Sequence, residues 1–409
     1  MTQAVSEPSF LAERRAAAQD ALGGLELPSF RGVAGWEFTP VDDLALEDWE
    51  PAAGAQPGTV EGPLAAPEGA ARPSAEAATS EGPIVMTLAQ AAEQHPELVE
   101  RHLGSVVPTG STALVARNDA QWSDGTFVYV PRGVALDAPV WLETIHEAAG
   151  TSLSWRLLVV LEEGAQAEVW HQSLSADAET EGLLNGVVEL VVGEGARLRF
   201  VDAQALNEKS WLFGSQRAVV ARDGAVDWVT LGFGSANGKV FLETKLDGPG
   251  ADARVTGAYA IDGRQHVDYD TLQEHAAPDT TSDLAFRGIL DGRSTAVWRG
   301  MIQVDEGAQS TDAFQESRNL LLSRKAHADA IPGLEILAND VRCTHAAAIA
   351  QVDPDQLFYL RSHGLPEGDA RRLVIEGFLH ELVERFEEGA LRDAVTAAIE
   401  ERMRLILSA

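Results

Sequence analysis

The sequence predicts a mainly β protein whose strands stack into coils, flanked by an N-terminal α-helical region and a C-terminal α-helical domain. Three observations point there. From about Ala113 to Cys343, runs rich in valine, leucine and aromatics alternate with polar residues: TFVYV, LSWRLLVVL, GVVELVV, RLRFVDA, QRAVVA, VDWVTLGF, KVFLETKL, RVTGAYAI and TAVWRGMIQV. Each is strand-length, and none is long enough for an amphipathic helix. Turn words recur between them: EEGA at 162, GEGA at 193, RDGA at 222, IDGR at 261, LDGR at 290 and DEGA at 305. Their glycines stand 31 (164 to 195), 29 (195 to 224) and 29 (263 to 292) residues apart. A period near 30 that holds about two strands describes one coil of a parallel β-helix. Composition agrees, since 6% aromatic residues and 37 glycines favour many turns over long helical bundles. A β-sandwich also shows short strands with regular turns, so periodicity alone favours the β-helix only narrowly.

Taken in order, residues 1–49 form an N-terminal helical region. SFLAERRAAAQDAL, 9–22, is alanine-rich, with Ser9 as its cap and Gly23-Gly24 as its stop. Trp36 anchors a small core after it. Residues 50–83 are built of Ala, Pro, Gly and Glu with almost no large apolar residue, too little to offset the entropy of ordering, and read as a flexible linker. Residues 84–112 are a helical segment, with turns of helix on either side of His95-Pro96 because proline restarts a helix. The β-helix core spans 113–345. In the C-terminal helical domain, 346–409, Asp353-Pro354-Asp355-Gln356 reads as cap, first-turn proline and third-position glutamine, and this helix stops at Gly364. Ile375, Leu379, Leu382, Val383 and Phe386 then fall on one stripe, with Glu376, His380, Glu384 and Glu387 opposite. A last helix aligns Leu391, Val395, Ala398, Ile399, Leu405 and Ile406. These helices hold more apolar surface than they can bury on one another, so they pack on the β-helix end or dock a partner protein.

The 409 residues suit two or three structural regions. Acidic residues outnumber basic ones 63 to 31, a formal charge of -32. Such a field repels phosphate backbones and anionic lipid, which disfavours nucleic acid and membrane surfaces as partners; a high-salt host would explain the same excess. One cysteine excludes a disulfide within the chain and fits a reducing cytoplasm. MTQAVSEPSFLAERR lacks the basic start and apolar core of a signal peptide. No apolar run approaches the roughly 18 residues of a membrane span.

That cysteine, Cys343, lies two residues from His345. On a strand the pair faces one side, roughly 7 Å apart. Thiolate plus imidazole suits zinc, iron, copper(I) or an iron–sulfur centre. A closed tetrahedral site needs four donors, so this chain alone supplies half a site. The bland alternative is a small core cysteine beside a polar neighbour. Other candidates are weaker. His380-Glu381 with Glu384 lacks the second histidine of a zinc protease helix. Asp262, His266, Asp268 and Asp270 could face a hard cation, though calcium wants six or more oxygens and an acidic exposed strand accounts for them. Glu274-His275 and His327 with Asp329 read as surface pairs. No G-x-x-x-x-G-K-[ST] phosphate loop is present, so nucleotide hydrolysis belongs to another subunit.

The words around the pair, ADAIPGLEILANDVRCTHAAAIAQVDPDQLFYLRSHGL, closely resemble the signature of the SufB/SufD family of iron–sulfur cluster assembly scaffolds. The matching residues are Pro332, Leu334, Glu335, Ile336, Asp340, Val341, Cys343, His345, Leu357, Phe358, Tyr359, Leu360, Ser362 and Gly364. Trp36, Thr39 and Pro40 fit a tryptophan-centred family word, with Gly35 departing from its acidic residue. Ala346 and Ala350 stand where the family usually has glycine, and His363 where arginine is common. FVYVPRGVALDAPVWL and the RGIL…VWRGMIQV…STDAFQESRNLLLS block look like the family's β-helix core, and the resemblance therefore implies a β-helix rather than a sandwich. It further implies a non-catalytic scaffold subunit that pairs with SufB through the β-helix and holds the SufC ATPase on its C-terminal helices. His345, with Cys343, would lend ligands to a transient iron–sulfur cluster shared with SufB, and a reduced flavin would donate electrons, although no flavin motif appears. Length, the lack of additional cysteines and Thr344 after the cysteine point to the SufD branch. Two other classes remain open: a calcium-dependent β-helix polysaccharide lyase and a homodimeric binding module.

Overall fold

The structure is a computed structural model that describes residues 7–25, 35–42, 44–52, 54, 60–74 and 82–408. Two short strands, β1 (Glu50–Pro51) and β2 (Ile84–Thr87), precede a parallel solenoid of about eight coils. One sheet takes β3 (Asp124–Val130), β5 (Thr151–Leu161), β7 (Gly182–Val192), β9 (Trp211–Val220), β11 (Asn237–Leu246), β13 (His266–His275), β15 (Thr295–Val304) and β17 (His327–Ile336). The other takes β4 (Val140–His146), β6 (Gln166–Ser175), β8 (Arg197–Ala205), β10 (Ala225–Gly232), β12 (Asp252–Ile261), β14 (Thr281–Leu290), β16 (Thr311–Leu321) and β18 (Val341–Gln351). Each strand pairs with the one a coil earlier, and the ladders between coils are parallel, which excludes the sandwich.

In-register stacking repeats each inward side chain along the axis. Val169, Phe200, Trp228, Val255 and Leu284 form one such column, all fully buried. Phe200 meets Trp228 edge-on at 5.5 Å, and Tyr259 stacks on Tyr269 at 5.9 Å. Each such burial contributes about 1.5–3 kcal/mol, and summed over the coils it makes the solenoid interior the main core.

The turn words belong to two different edges. EEGA, GEGA, RDGA and DEGA join odd strands to even ones, while IDGR and LDGR join even strands to odd ones. Gly164 and Gly195 take the left-handed conformation (φ 68 and 64), but the position stacked on Gly195 is Asp223 (φ 54), not Gly224. Aspartate tolerates that region better than most residues. The true coil is also less regular than the glycines: it advances 26 residues from Trp211 to Asn237 and 32 from Thr295 to His327.

Helices cover the outer faces. The N-terminal group is α1 (Ser9–Leu22), α2 (Leu88–Gln94), α3 (Pro96–His102) and α4 (Ala113–Gln121). It packs Leu11, Leu88, Val99 and Trp122 on Phe127, Tyr129, Leu158 and Val160 of the first sheet. After β18 come α5 (Pro354–Ser362), α6 (Glu367–Val383) and α7 (Ala390–Ser408). Here Ile375, Leu379, Val395 and Ile399 share one buried cluster with Ala258, Ala260, Ala285 and Ile289 on the outside of the second sheet, α6 packing on β14 and α7 on β12. Of the two options for these helices, packing on the β-helix is met on its flank, not its end.

Several expectations need correction. Ser9 is already helical, the cap position is Pro8, and no side chain caps that helix. Residues 113–121, assigned to the solenoid, are the helix α4. The stretch 50–83 is not free where it is described: β1 pairs with Thr151 and Ser152, Ala71 bridges Val140, and Leu64 is buried beside Trp141. Backbone hydrogen bonds supply what its composition lacks; 53, 55–59 and 75–81 lie outside the described residues. The boundary at 345/346 falls inside β18. On α7, Leu405 is exposed and Met403 takes the inward place. The Asp353 cap stands, its carboxylate accepting from the Asp355 N–H at 2.8 Å, and Trp36 is buried against Phe213 and Phe241.

Candidate functional site

The two ends of the solenoid differ. At the first coil β2 runs antiparallel along β3, and Ala71 bridges β4 at Val140. At the last coil, among the described residues, β17 pairs only with β15 and β18 only with β16. With no further coil above them, inward-facing residues meet solvent instead of a core. Leu334, Ile336 and Ile349 stand 38–45% exposed, and Leu337 in the intervening turn is 59% exposed. That turn is held from below, Gln309 Oε1 accepting from the Asp340 N–H at 2.8 Å. An apolar, unpaired rim of this kind is a template for another chain.

Cys343 and His345 lie on β18 within this rim. Cys343 stacks on Ala313 and His345 on Gln315. Gln315 follows Leu284 in the inward column already described, so His345 terminates the column at the open end. The i, i+2 expectation therefore holds: both donors share the inward side. Cys343 is half-buried, packing against the cluster of Ile302, Val304, Ala308, Ala313 and Ala338, whereas His345 is exposed. Burial, with a smaller contribution from the Asp312 carboxylate, pushes the Cys343 thiol above its ordinary value. Binding a metal would therefore require this thiol to lose a proton. Beneath His345, fully buried Gln315 donates to the Gly300 and Gly333 carbonyls at 3.2 and 3.1 Å, a rigid polar floor tying β15 to β17.

No group of three or more His, Cys, Asp or Glu is gathered to hold a metal among the described residues. Two donors at an exposed end can take part in a metal site only if other donors arrive. The weaker candidates are otherwise engaged. Asp262 binds Arg402 at 2.7 Å, and Asp268 binds buried Lys239 at 2.8 Å and accepts from Thr39 Oγ1 at 2.5 Å. Asp270 lies 3.7 Å from Lys239, and His266 pairs with Thr295 at 2.7 Å. Glu274 is bridged to Arg217 and Lys245, and His275 is not on the surface at all but sealed between Thr280 and Ser282. His327–Asp329 and His380–Glu384 are exposed pairs at 3.1 and 3.3 Å.

Reading the sequence identified Leu334 and Ile336 only as signature positions and passed over Leu337 and Ile349. The signal that they form a surface was present: Pro332, Leu334 and Ile336 alternate on a strand after which only one more strand follows. Gln315 carried no sequence signal, because its role comes from register.

Comparison with known proteins fits this geometry. The SUF system FeS cluster assembly, SufBD core domain matches residues 144–378, and the SufBD protein N-terminal region matches 70–142. An iron–sulfur cluster assembly SufBD family protein of Mycobacterium tuberculosis is 32% identical over 307 residues, 73% of this chain and 76% of its own. The iron–sulfur cluster assembly protein SufD of Bacillus subtilis is 29% identical over 327 residues, 79% of this chain and 74% of its own. A SufBD family protein of Mycobacterium leprae is 28% identical over 340 residues, covering 80% and 85%. A core match spanning more than half the chain, on the solenoid that carries Cys343 and His345, makes this chain a member of the SufBD family of iron–sulfur cluster assembly proteins.

Proposed function

We propose that this chain is the SufD-type subunit of a SufBCD scaffold, a non-catalytic component that pairs with SufB through the open end of its solenoid. The carrying observation is that end: two ligand-type side chains stand inside an uncovered apolar rim. A SufB solenoid seated there would cover Leu334, Ile336 and Ile349 and bring the missing donors to His345 and Cys343. The nascent iron–sulfur cluster is cargo, built at the seam and passed on. His345 is the readier ligand because it is exposed, while Cys343 joins after deprotonation.

SufC, the ATPase, would dock on the C-terminal helices, where α5 presents Phe358 and Tyr359 at 73% and 62% exposure and has no buried residue of its own. ATP binding by SufC would favour a second arrangement of the seam in which the ligands become reachable, which requires a difference in binding between two states. We assign the complex to the cytoplasm; no helix among the described residues is long and apolar enough to cross a membrane. The lyase alternative loses its basis, because the carboxylates it would use for calcium are paired with Arg402 and Lys239.

The test is His345→Ala. The SufBCD complex should form with unchanged mass while iron–sulfur maturation of a reporter ferredoxin falls to background. Full-rate maturation by the variant complex would remove the ligand role.

A further inference from the structure

The chain carries twice as many acidic as basic residues, 63 to 31, yet one edge of the solenoid is locally cationic. In the turns from even to odd strands, Arg264 stacks under Arg293, whose backbone N–H bonds the Gly263 carbonyl at 2.7 Å. The β15–β17 register carries the column on to Lys325, with Arg324 beside it. Adjacent coils are about 4.8 Å apart, so these cations form a short ridge on the last three coils. All are exposed, and none makes an ion pair among the described residues.

The acids of the same turns are already neutralised. Asp262 is held by Arg402 at 2.7 Å, and Asp291 lies 3.7 Å from Arg371, both arginines coming from the C-terminal helices. One coil earlier the column holds uncharged Ser235, and two coils earlier Glu208 approaches Gly263 while Lys209 pairs with Glu179, so the ridge stops there.

We propose that this ridge is a docking edge for a carboxylate-rich segment of a protein partner. Guanidinium forks match carboxylates in two-pronged geometry. An exposed edge of turns lacks the concavity that small ligands need. Because the ridge ends on the last coil beside the open end, a partner seated there can reach it. The proposal rests on charge and register alone and is independent of the ligand role of His345.

The experiment measures fluorescence anisotropy of a labelled deca-glutamate peptide against the full chain. The expected result is binding at about 50 mM salt that is lost near 500 mM, where screening is short-ranged. The variant Arg264→Glu, Arg293→Glu, Arg324→Glu, Lys325→Glu should bind at least about tenfold more weakly, with an unchanged melting profile. If charge reversal disturbs folding, the same four positions changed to Gln serve instead. Absence of peptide binding, equal binding by the variant, or tighter binding of a DNA duplex than of the peptide would overturn the proposal. So would a homodimer that the substitutions split, since the occupant would then be a second copy of this chain.

Discussion

The sealed N-terminal end and the bare C-terminal end of one solenoid show how the same coil architecture can be finished in opposite ways. At the N-terminal end Arg156, only 1% exposed, is held between Asp119 and Glu189, with Glu189 at 2.8 Å. Arg14 on α1 binds the other side of Asp119 at 2.8 Å, and Glu189 accepts the Gly104, Val106 and Val107 N–H groups at 2.9–3.1 Å. Two arginines and two carboxylates thus cancel in the interior and fasten α1, α4 and the segment after α3 to the coils. At the other end Cys343, His345 and the apolar rim have no such partners among the described residues. Among the described residues, the chain covers one end with its own residues and leaves the rim of the other exposed.

Removing one member of the buried network should have the largest effect. Glu189→Ala leaves Arg156 underpaired and three N–H groups without an acceptor, and should lower unfolding stability by about 3–5 kcal/mol in urea titrations. A loss below about 1 kcal/mol would mean that the N-terminal end is not held in this way.

The interior sets a pH limit of somewhat smaller size. His275 is sealed between Thr280 and Ser282, and burial pushes its imidazole down to about 4 from an ordinary 6.5. Its folded value lies below its unfolded one, so its contribution is complete above pH 6.5 and is lost as pH falls towards 4, where the unfolded chain takes up the proton. The loss approaches about 3 kcal/mol at most. His102, His146 and His266, also lowered mainly by burial, act in the same direction. Stability measured between pH 7 and 4 should fall steadily, and His275→Gln should flatten part of that slope.

Substitution at the open end should have the smallest effect on the isolated chain. Leu337→Asp should change unfolding stability by no more than about 0.5 kcal/mol, yet weaken association with SufB at least tenfold. Equal association would separate the rim from the interface.

Much of the solenoid was legible because strand-length apolar runs and glycine turns are local properties. Its register was less so. Gly224 mimics the turn glycine while Asp223 takes the left-handed position, a choice fixed by the neighbouring coil and not by the word itself. The docking of α6 and α7 on the second sheet was half legible, since their stripes were plain but the receiving face was not. Strands buried on both sides, such as β5, read as continuous apolar runs and hide which face is outside. Cys343 and His345 were legible as a pair from spacing. Their position at an uncovered end depends on where the stacking stops, which local sequence does not specify.

The single cysteine allows the central claim to be tested directly. Maleimide labelling of Cys343 at mildly alkaline pH, followed by intact mass, should proceed in the isolated chain and be strongly slowed once SufB is added. Labelling at the same rate with and without a stoichiometrically bound SufB would contradict the claim that the open end is where the second subunit completes the site.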